Sequence, residues 1–329
     1  MFTTGPSRAV QLDLSKIRSV TNLHGQSAVL AFTDIDGTAN NELLPESERH
    51  NSLAPAKRAI HQLQIGKVPV GIVTGRSYGE AAWYAKELGC LGPIICEDGA
   101  VLAFPTAWTK YLSNQTELPF KRQDDGSLVL ILSSINRERI QQFLDFVSKS
   151  LPHDTHIISS LEGGATLFAH GSGHPNLAAA ERSAMRLASA YMIKPEKEVL
   201  DILFKTKTAS DWGMRCFAPN LPHVIGLDAH KGLALRKACE ITLSILRTIG
   251  VNAKHITPIA FGNNDNDIAL FREIDKMGGI GILVAHPDAP AKSFISTTEI
   301  PNSTIICRQS HGLGMIESLA YLERSLAGE

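Results

Sequence analysis

A short, almost wholly apolar run that stops on a polar cluster recurs along this chain, and it constrains the fold most. Ser27-Ala-Val-Leu-Ala-Phe-Thr33 stops at Asp34-Ile35-Asp36-Gly37. Val68-Pro-Val-Gly-Ile-Val73 stops at Thr74-Gly75-Arg76, and Pro93-Ile-Ile-Cys96 stops at Glu97-Asp98-Gly99. Runs that are apolar at every position, not every second one, suit strands buried on both faces. Between them, residues 54–65 put Ala56, Ile60 and Leu63 on one helical face with Pro55 near the start, and residues 78–88 read as a helix stopped by Gly89. Strand, helix, strand, helix, strand predicts an α/β fold with a Rossmann-like parallel sheet. Ligands bind such sheets beyond the carboxyl ends of the strands, so the polar clusters share one rim.

The middle of the chain breaks the pattern. Residues from about 110 to 225 are more polar, with strands expected at 128–132 and 165–169 and helices at 136–150 and 176–192. The sheet pattern then resumes, with a helix expected from Lys231 to Arg247 and strands at 257–261 and 279–284. The expected organisation is a core of residues 27–109 and 228–329, an inserted α+β cap domain at 110–227, and an N-terminal extension at 1–26. The extension carries a weak amphipathic stretch from Leu12 to Leu23, read as a short helix or an extended arm.

Composition narrows the class. Hydrophobic residues are 43% and charged residues 20%, as in an ordinary soluble globular protein. A formal net charge of −1 gives no global attraction to nucleic acid or to an anionic membrane. Cys90, Cys96, Cys216, Cys239 and Cys307 are scattered and form no Cys-x-x-Cys pair, so they read as reduced thiols of a cytoplasmic protein. The N-terminus has no apolar leader and no run is long enough to span a bilayer. The oligomeric state is left open.

The chemistry rests on the strand ends. Two aspartates one residue apart beyond a buried strand repel each other, and a divalent cation relieves that repulsion. Alone, Asp34-Ile35-Asp36-Gly37 also fits an ordinary turn. Thr74 and Gly75 offer a hydroxyl and an unhindered N–H suited to a phosphoryl oxygen. Lys231, opening a helix, can neutralise a developing phosphoryl charge, although a single lysine is more often a solvated one. Phe261-Gly-Asn263-Asn-Asp265-Asn-Asp267 adds oxygen ligands after another strand, and it also fits an Asx-rich turn capping the next helix. Several such clusters on one rim are hard to explain as turns.

Asp34-x-Asp36-Gly-Thr, Thr74-Gly-Arg76, Lys231-Gly and Gly262-x-x-x-Asn-Asp267, in that order, resemble the haloacid dehalogenase superfamily in its Cof-like branch. That branch includes sucrose-phosphate and mannosyl-3-phosphoglycerate phosphatases and phosphomannomutases. The resemblance implies a Mg²⁺-dependent phosphatase acting on a small phosphorylated metabolite, a sugar phosphate in the first instance. It implies Asp34 as a nucleophile forming an aspartyl-phosphate, and Asp36 as general acid and then base. It implies Thr74, Gly75 and Lys231 on the phosphoryl oxygens, with Arg76 reaching the substrate. It places Mg²⁺ among Asp34, the Asp36 carbonyl, Asn263 and Asp267. The cap is implied to close over the site, with His170, His174, Glu162 and Arg182 as candidate contacts, each also readable as a solvated surface group.

The chain departs from the family at several amides and acids. Where the fourth element begins Gly-Asp, this chain has Asn263, so the metal site loses one formal charge unless Asp265 or Asp267 reaches the ion. Where the family has Glu-Asn-Gly, this chain has Glu97-Asp98-Gly99. The departures leave two alternatives beside the phosphatase: a phosphomutase, and a catalytically weakened phosphometabolite-binding protein.

Overall fold

The computed structural model describes residues 10–22, 25–41, 44, 46–112, 117–134, 137–148, 155–159, 166–170, 190–192, 214–217, 223–264, 267–285 and 300–327. Its main feature is a ten-stranded sheet. The strands used below are β1 (Gly25–Thr33), β2 (Val70–Val73), β3 (Ile94–Cys96), β4 (Val101–Phe104), β5 (Leu128–Ile131), β6 (His255–Gly262), β7 (Ile280–Ala285) and β8 (Thr304–Ser310). Their order is β8-β7-β6-β1-β2-β3-β4-β5, with Lys121–Arg122 on the β5 edge and Ser19–Asn22 pairing antiparallel to β1. Neighbours from β8 to β3 are parallel; β4 and β5 run antiparallel.

β1 lies at the switch point. The chain steps from β1 to β2 and β3 on one side, and from β6 to β7 and β8 on the other. The helices α1 (Ala54–Ile65), α2 (Tyr78–Leu88), α3 (Lys231–Thr248), α4 (Ile268–Lys276) and α5 (His311–Ala327) cover the sheet. Alternation along β1 divides the core. Val29 and Ala31 pack with Ala56, Ile60, Tyr84, Met315 and Leu322, while Ala28, Leu30 and Phe32 pack with Leu235, Ile245, Leu270 and Ile274. α1, α2 and α5 therefore cover one face, and α3 and α4 the other.

The helix ends follow local chemistry. Ser77 and Glu80 form a reciprocal capping box at the start of α2, and Gly89, at φ +70°, closes it in the left-handed region. The expected α1, α2, β1, β2, β3, α3, β6 and β7 are all present, with ends shifted by a residue or two.

Three expectations change. The strand expected at 128–132 inside the insertion is β5, paired antiparallel to β4 in the large sheet. Its side chains explain this, because Val129 packs on one face of the core and Leu128 and Leu130 on the other. The N-terminal stretch is a 3-10 turn at Leu14–Lys16 followed by the strand Ser19–Asn22, and Leu14 and Ile17 are buried in the core. Of the helix expected at 176–192, Ala190–Met192 is a strand, and the rest lies outside the described residues.

A second, five-stranded sheet falls between β5 and α3 in sequence, in the order Met214–Phe217, His223–Gly226, Ala190–Met192, Thr166–His170, Thr155–Ser159. The helix expected at 136–150 is Arg137–Ser148. Glu162, His174, Arg182, Asp265 and the His170 side chain lie outside the described residues.

Candidate active site

Asp34 emerges where β1 ends. Its N–H donates to the Phe261 carbonyl of β6 at 3.0 Å, and its carbonyl accepts from Thr33 Oγ1 at 2.8 Å. The parallel register sets Thr33 beside Ile72 and Phe261, so the residues that follow β1, β2 and β6 leave the sheet side by side.

Lys231 enters from the first turn of α3. Its Nζ lies 2.7 Å from Asp267 Oδ1 and 3.3 Å from Asp34 Oδ1. Two glycines make the approach possible. A Cβ on Gly99, whose φ is +95°, would sit 2.7 Å from Lys231 N, and one on Gly232 would sit 2.6 Å from the Ala269 carbonyl oxygen. His230 caps the helix, with Nδ1 accepting from the Leu233 N–H at 3.2 Å.

Side-chain exposure in this triad is 1% for Lys231, 0% for Asp267 and 7% for Asp34. Burial pushes the Asp34 carboxyl well above the usual carboxylate range; Lys231 opposes the rise, while Asp267 and Asp36 add to it. Burial also works against the Lys231 ammonium, but Asp267, Asp34 and Asp98 outweigh it and keep the lysine firmly protonated. Removing charges from water costs several kcal/mol per ion, on the order estimated for real proteins. Such a triad is a weak device for stability and a common one for chemistry.

The loop after β6 is folded by Asp267. Its Oδ2 accepts the N–H of Asn263 at 3.0 Å and of Asn264 at 3.2 Å, while Oδ1 faces Lys231. Asn263 is buried, and its Oδ1 accepts from Thr38 Oγ1 at 2.9 Å. Gly37, at φ +74°, lies against that amide; a Cβ there would be 2.0 Å from Asn263 Nδ2.

Asp36 faces a second group. Arg76 forks onto its carboxylate, Nε to Oδ2 and Nη2 to Oδ1, both at 2.7 Å. Asn40 Nδ2 donates to Asp36 Oδ1 at 3.3 Å. Arg76 is held by Glu80 Oε1 at 2.8 Å and lies 5.0 Å over the Tyr84 ring. Thr74 is buried at the end of β2, and its Oγ1 accepts the Arg76 N–H at 3.2 Å, with Gly75 in the bend between them.

The fold thus brings Asp34, Lys231 and Asp267 into contact, sets Asn263 beside the 34–40 loop, and joins Asp36 to Arg76. Asn40, Glu80 and Tyr84 were not singled out from sequence, and Thr38 stood in the Asp34-x-Asp36-Gly-Thr run without a role of its own. Only Glu80 carried a local signal, the Ser77-x-x-Glu80 capping box.

Among the described residues no three of His, Cys, Asp and Glu are placed to hold a metal by themselves. The donors that face the rim are oxygens, carboxylate and amide. Such a set fits Mg²⁺, which keeps several waters and takes few protein ligands, and offers nothing to a softer thiolate- or imidazole-seeking ion.

A family model described as haloacid dehalogenase-like hydrolase matches residues 31–122. A glucosyl-3-phosphoglycerate/mannosyl-3-phosphoglycerate phosphatase of Persephonella marina is 22% identical over 259 residues, covering 78% of this chain and 85% of that protein. Among solved structures, a haloacid dehalogenase-like hydrolase from Bacteroides thetaiotaomicron aligns with TM-score 0.59 at 14% identity, covering 89% of this chain and 98% of the other. A HAD subclass IIB sugar phosphatase aligns with TM-score 0.51 at 13% identity, covering 92% and 99%. The structural likenesses are likenesses of fold.

Proposed function

We propose that this chain is a haloacid dehalogenase-like hydrolase of the Cof-like kind, and that it is a Mg²⁺-dependent phosphatase acting on a phosphorylated small metabolite, a sugar phosphate in the first instance. The observation that carries the reading is the buried contact of Asp34 with Lys231, which Asp267 holds from behind. The substrate class is carried over from the similarity to the glycosyl-3-phosphoglycerate phosphatase.

In this reading Asp34 attacks phosphorus through a carboxylate oxygen, and the bond to the leaving oxygen breaks. Lys231, kept protonated, neutralises the phosphoryl oxygens, and Thr74 and the Gly75 N–H complete the cradle. Asp36 gives its proton to the leaving oxygen, then takes one from water as that water attacks phosphorus, which frees Asp34 and orthophosphate. The Arg76 fork engages both Asp36 carboxylate oxygens, so proton donation to the leaving oxygen requires the fork to open first. Mg²⁺, held by Asp34, the Asp36 carbonyl and Asn263, would offset charge between nucleophile and phosphate. Asp267 acts through Lys231 and the loop N–H groups, since these already engage both its oxygens.

We further read residues from about 137 to 226 as the cap over this rim, with the β4–β5 region left in the core. A cytoplasmic setting agrees with Cys90, Cys96, Cys239 and Cys307 being free thiols, and with the lack of any helix, among the described residues, long and apolar enough to cross a membrane.

A screen of p-nitrophenyl phosphate and phosphorylated sugars, with and without Mg²⁺, tests the proposal. Mg²⁺-dependent release of phosphate that vanishes in Asp34→Asn is expected. Turnover retained by that variant removes Asp34 as nucleophile, and conversion of a hexose 1-phosphate to its 6-phosphate without release favours a mutase.

A further inference from the structure

We infer that this site takes up its divalent cation together with the phosphorylated substrate and binds the cation only weakly without it. The inference rests on the phosphatase reading and goes beyond it to the coupling between the two ligands.

The argument follows the charges that are already committed. Both Asp36 carboxylate oxygens are engaged by the Arg76 fork at 2.7 Å. Asp267 gives Oδ1 to Lys231 and Oδ2 to two backbone N–H groups. Asn263 is a neutral amide whose Oδ1 already accepts from Thr38. Of the residues expected at the metal, Asp34 is then the carboxylate left for a cation, and the Lys231 ammonium sits 3.3 Å from its Oδ1. Among the described residues no three-membered acidic or imidazole cluster compensates for this.

A hard dication sheds water reluctantly and needs several oxygens to repay that loss. One carboxylate, one amide oxygen and one carbonyl repay little of it. A phosphomonoester brings about two negative charges and spare oxygens to the same place. The ester in turn meets the Asp34 and Asp267 carboxylates, whose repulsion a cation reduces. Each ligand therefore raises the affinity of the other, and by the same factor.

Mn²⁺ binding to the full-length protein, read by electron paramagnetic resonance with and without saturating inorganic phosphate, tests this without any turnover. Phosphate is expected to tighten Mn²⁺ by about tenfold or more, within the usual range for two coupled sites. Calorimetry is expected to show Mn²⁺ tightening phosphate by the same factor. Asn263→Asp, which adds a carboxylate at the amide, is expected to tighten Mn²⁺ in the phosphate-free protein by about tenfold, the scale of a changed ligand shell. Equal Mn²⁺ affinity with and without phosphate overturns the inference, and so does tight phosphate-free binding in the unaltered protein. Both outcomes leave the phosphatase reading standing. Absence of Mn²⁺ and phosphate binding in the unaltered protein, together with absence of ester turnover, removes both.

Discussion

Lys231 and Asp267 form an ion pair of 2.7 Å in which neither side chain is more than 1% exposed. Lys231 opens the first turn of α3 and Asp267 is the N-cap of α4, and Gly232 lets the two helix starts approach. Deleting the cation leaves Asp34 and Asp267 buried beside each other without it. Lys231→Ala is therefore expected to lose about 3–5 kcal/mol of stability, the usual result of breaking a buried pair from one side. Lys231→Ala with Asp267→Asn should recover part of that loss and none of the turnover. Urea unfolding beside steady-state kinetics separates the two effects; a double variant as unstable as the single one contradicts the pairing.

Asp34 carries the opposite prediction. Its folded-state pKa is raised, chiefly by burial, above the ordinary 3.8. The folded protein therefore holds that proton more tightly than the unfolded chain does. Stability from this group is present below pH 3.8 and declines as pH rises through the window up to the raised value. In metal-free buffer, Asp34→Asn is expected to melt above the unaltered protein at pH 7, and the gap should narrow toward pH 4. Thermal melts with chelator across that range decide it. A variant less stable at pH 7 would falsify the account of Asp34 as a strained nucleophile.

The strand ends were legible because β1, β2, β3 and β6 are buried on both faces, which leaves unbroken apolar runs in the sequence. β5 was expected within the insertion, yet it pairs with β4 in the large sheet, because a strand of four residues in a polar region carries no mark of its partner. The pairing of acids with bases was not legible at all. Asp34 meets a lysine 197 positions away and Asp36 an arginine 40 positions away, although the two acids are neighbours but one. Spacing showed that both acids stand on the rim; only the approach of α3 and of the turn after β2 divides them. Thr38 became relevant only when the β6 loop brought Asn263 against it.

That contact makes Gly37 a sharp test of the 34–40 loop. Its φ of +74° is left-handed, and an added Cβ would fall 2.0 Å from Asn263 Nδ2. Gly37→Ala must strain the backbone or displace the amide. A loss of about 1–3 kcal/mol is expected for such a position, with activity falling further than stability alone explains. Melting curves and Mg²⁺ titrations of activity provide the comparison. An alanine variant that melts and titrates like the unaltered protein would show that the amide does not pack against residue 37.

Arg76 provides the last test, since sequence assigned it to the substrate whereas its guanidinium is engaged by Asp36 and Glu80. Three N–H groups are committed there, and the plane rests over Tyr84. A lysine keeps the charge but cannot make the fork or the stack. If Arg76 positions the acid–base group, Arg76→Lys lowers kcat by about 10- to 100-fold, short of the 10²–10⁴ that a whole acid–base group contributes. KM for the ester should then move little if, as proposed, the ground-state phosphate contacts are those of Lys231 and Thr74. Glu80→Gln, which loosens Arg76 without touching Asp36, should give a smaller loss of the same kind. A variant whose KM rises tenfold while kcat holds would instead return Arg76 to the substrate, and the Asp36 fork would then be a resting contact that substrate displaces.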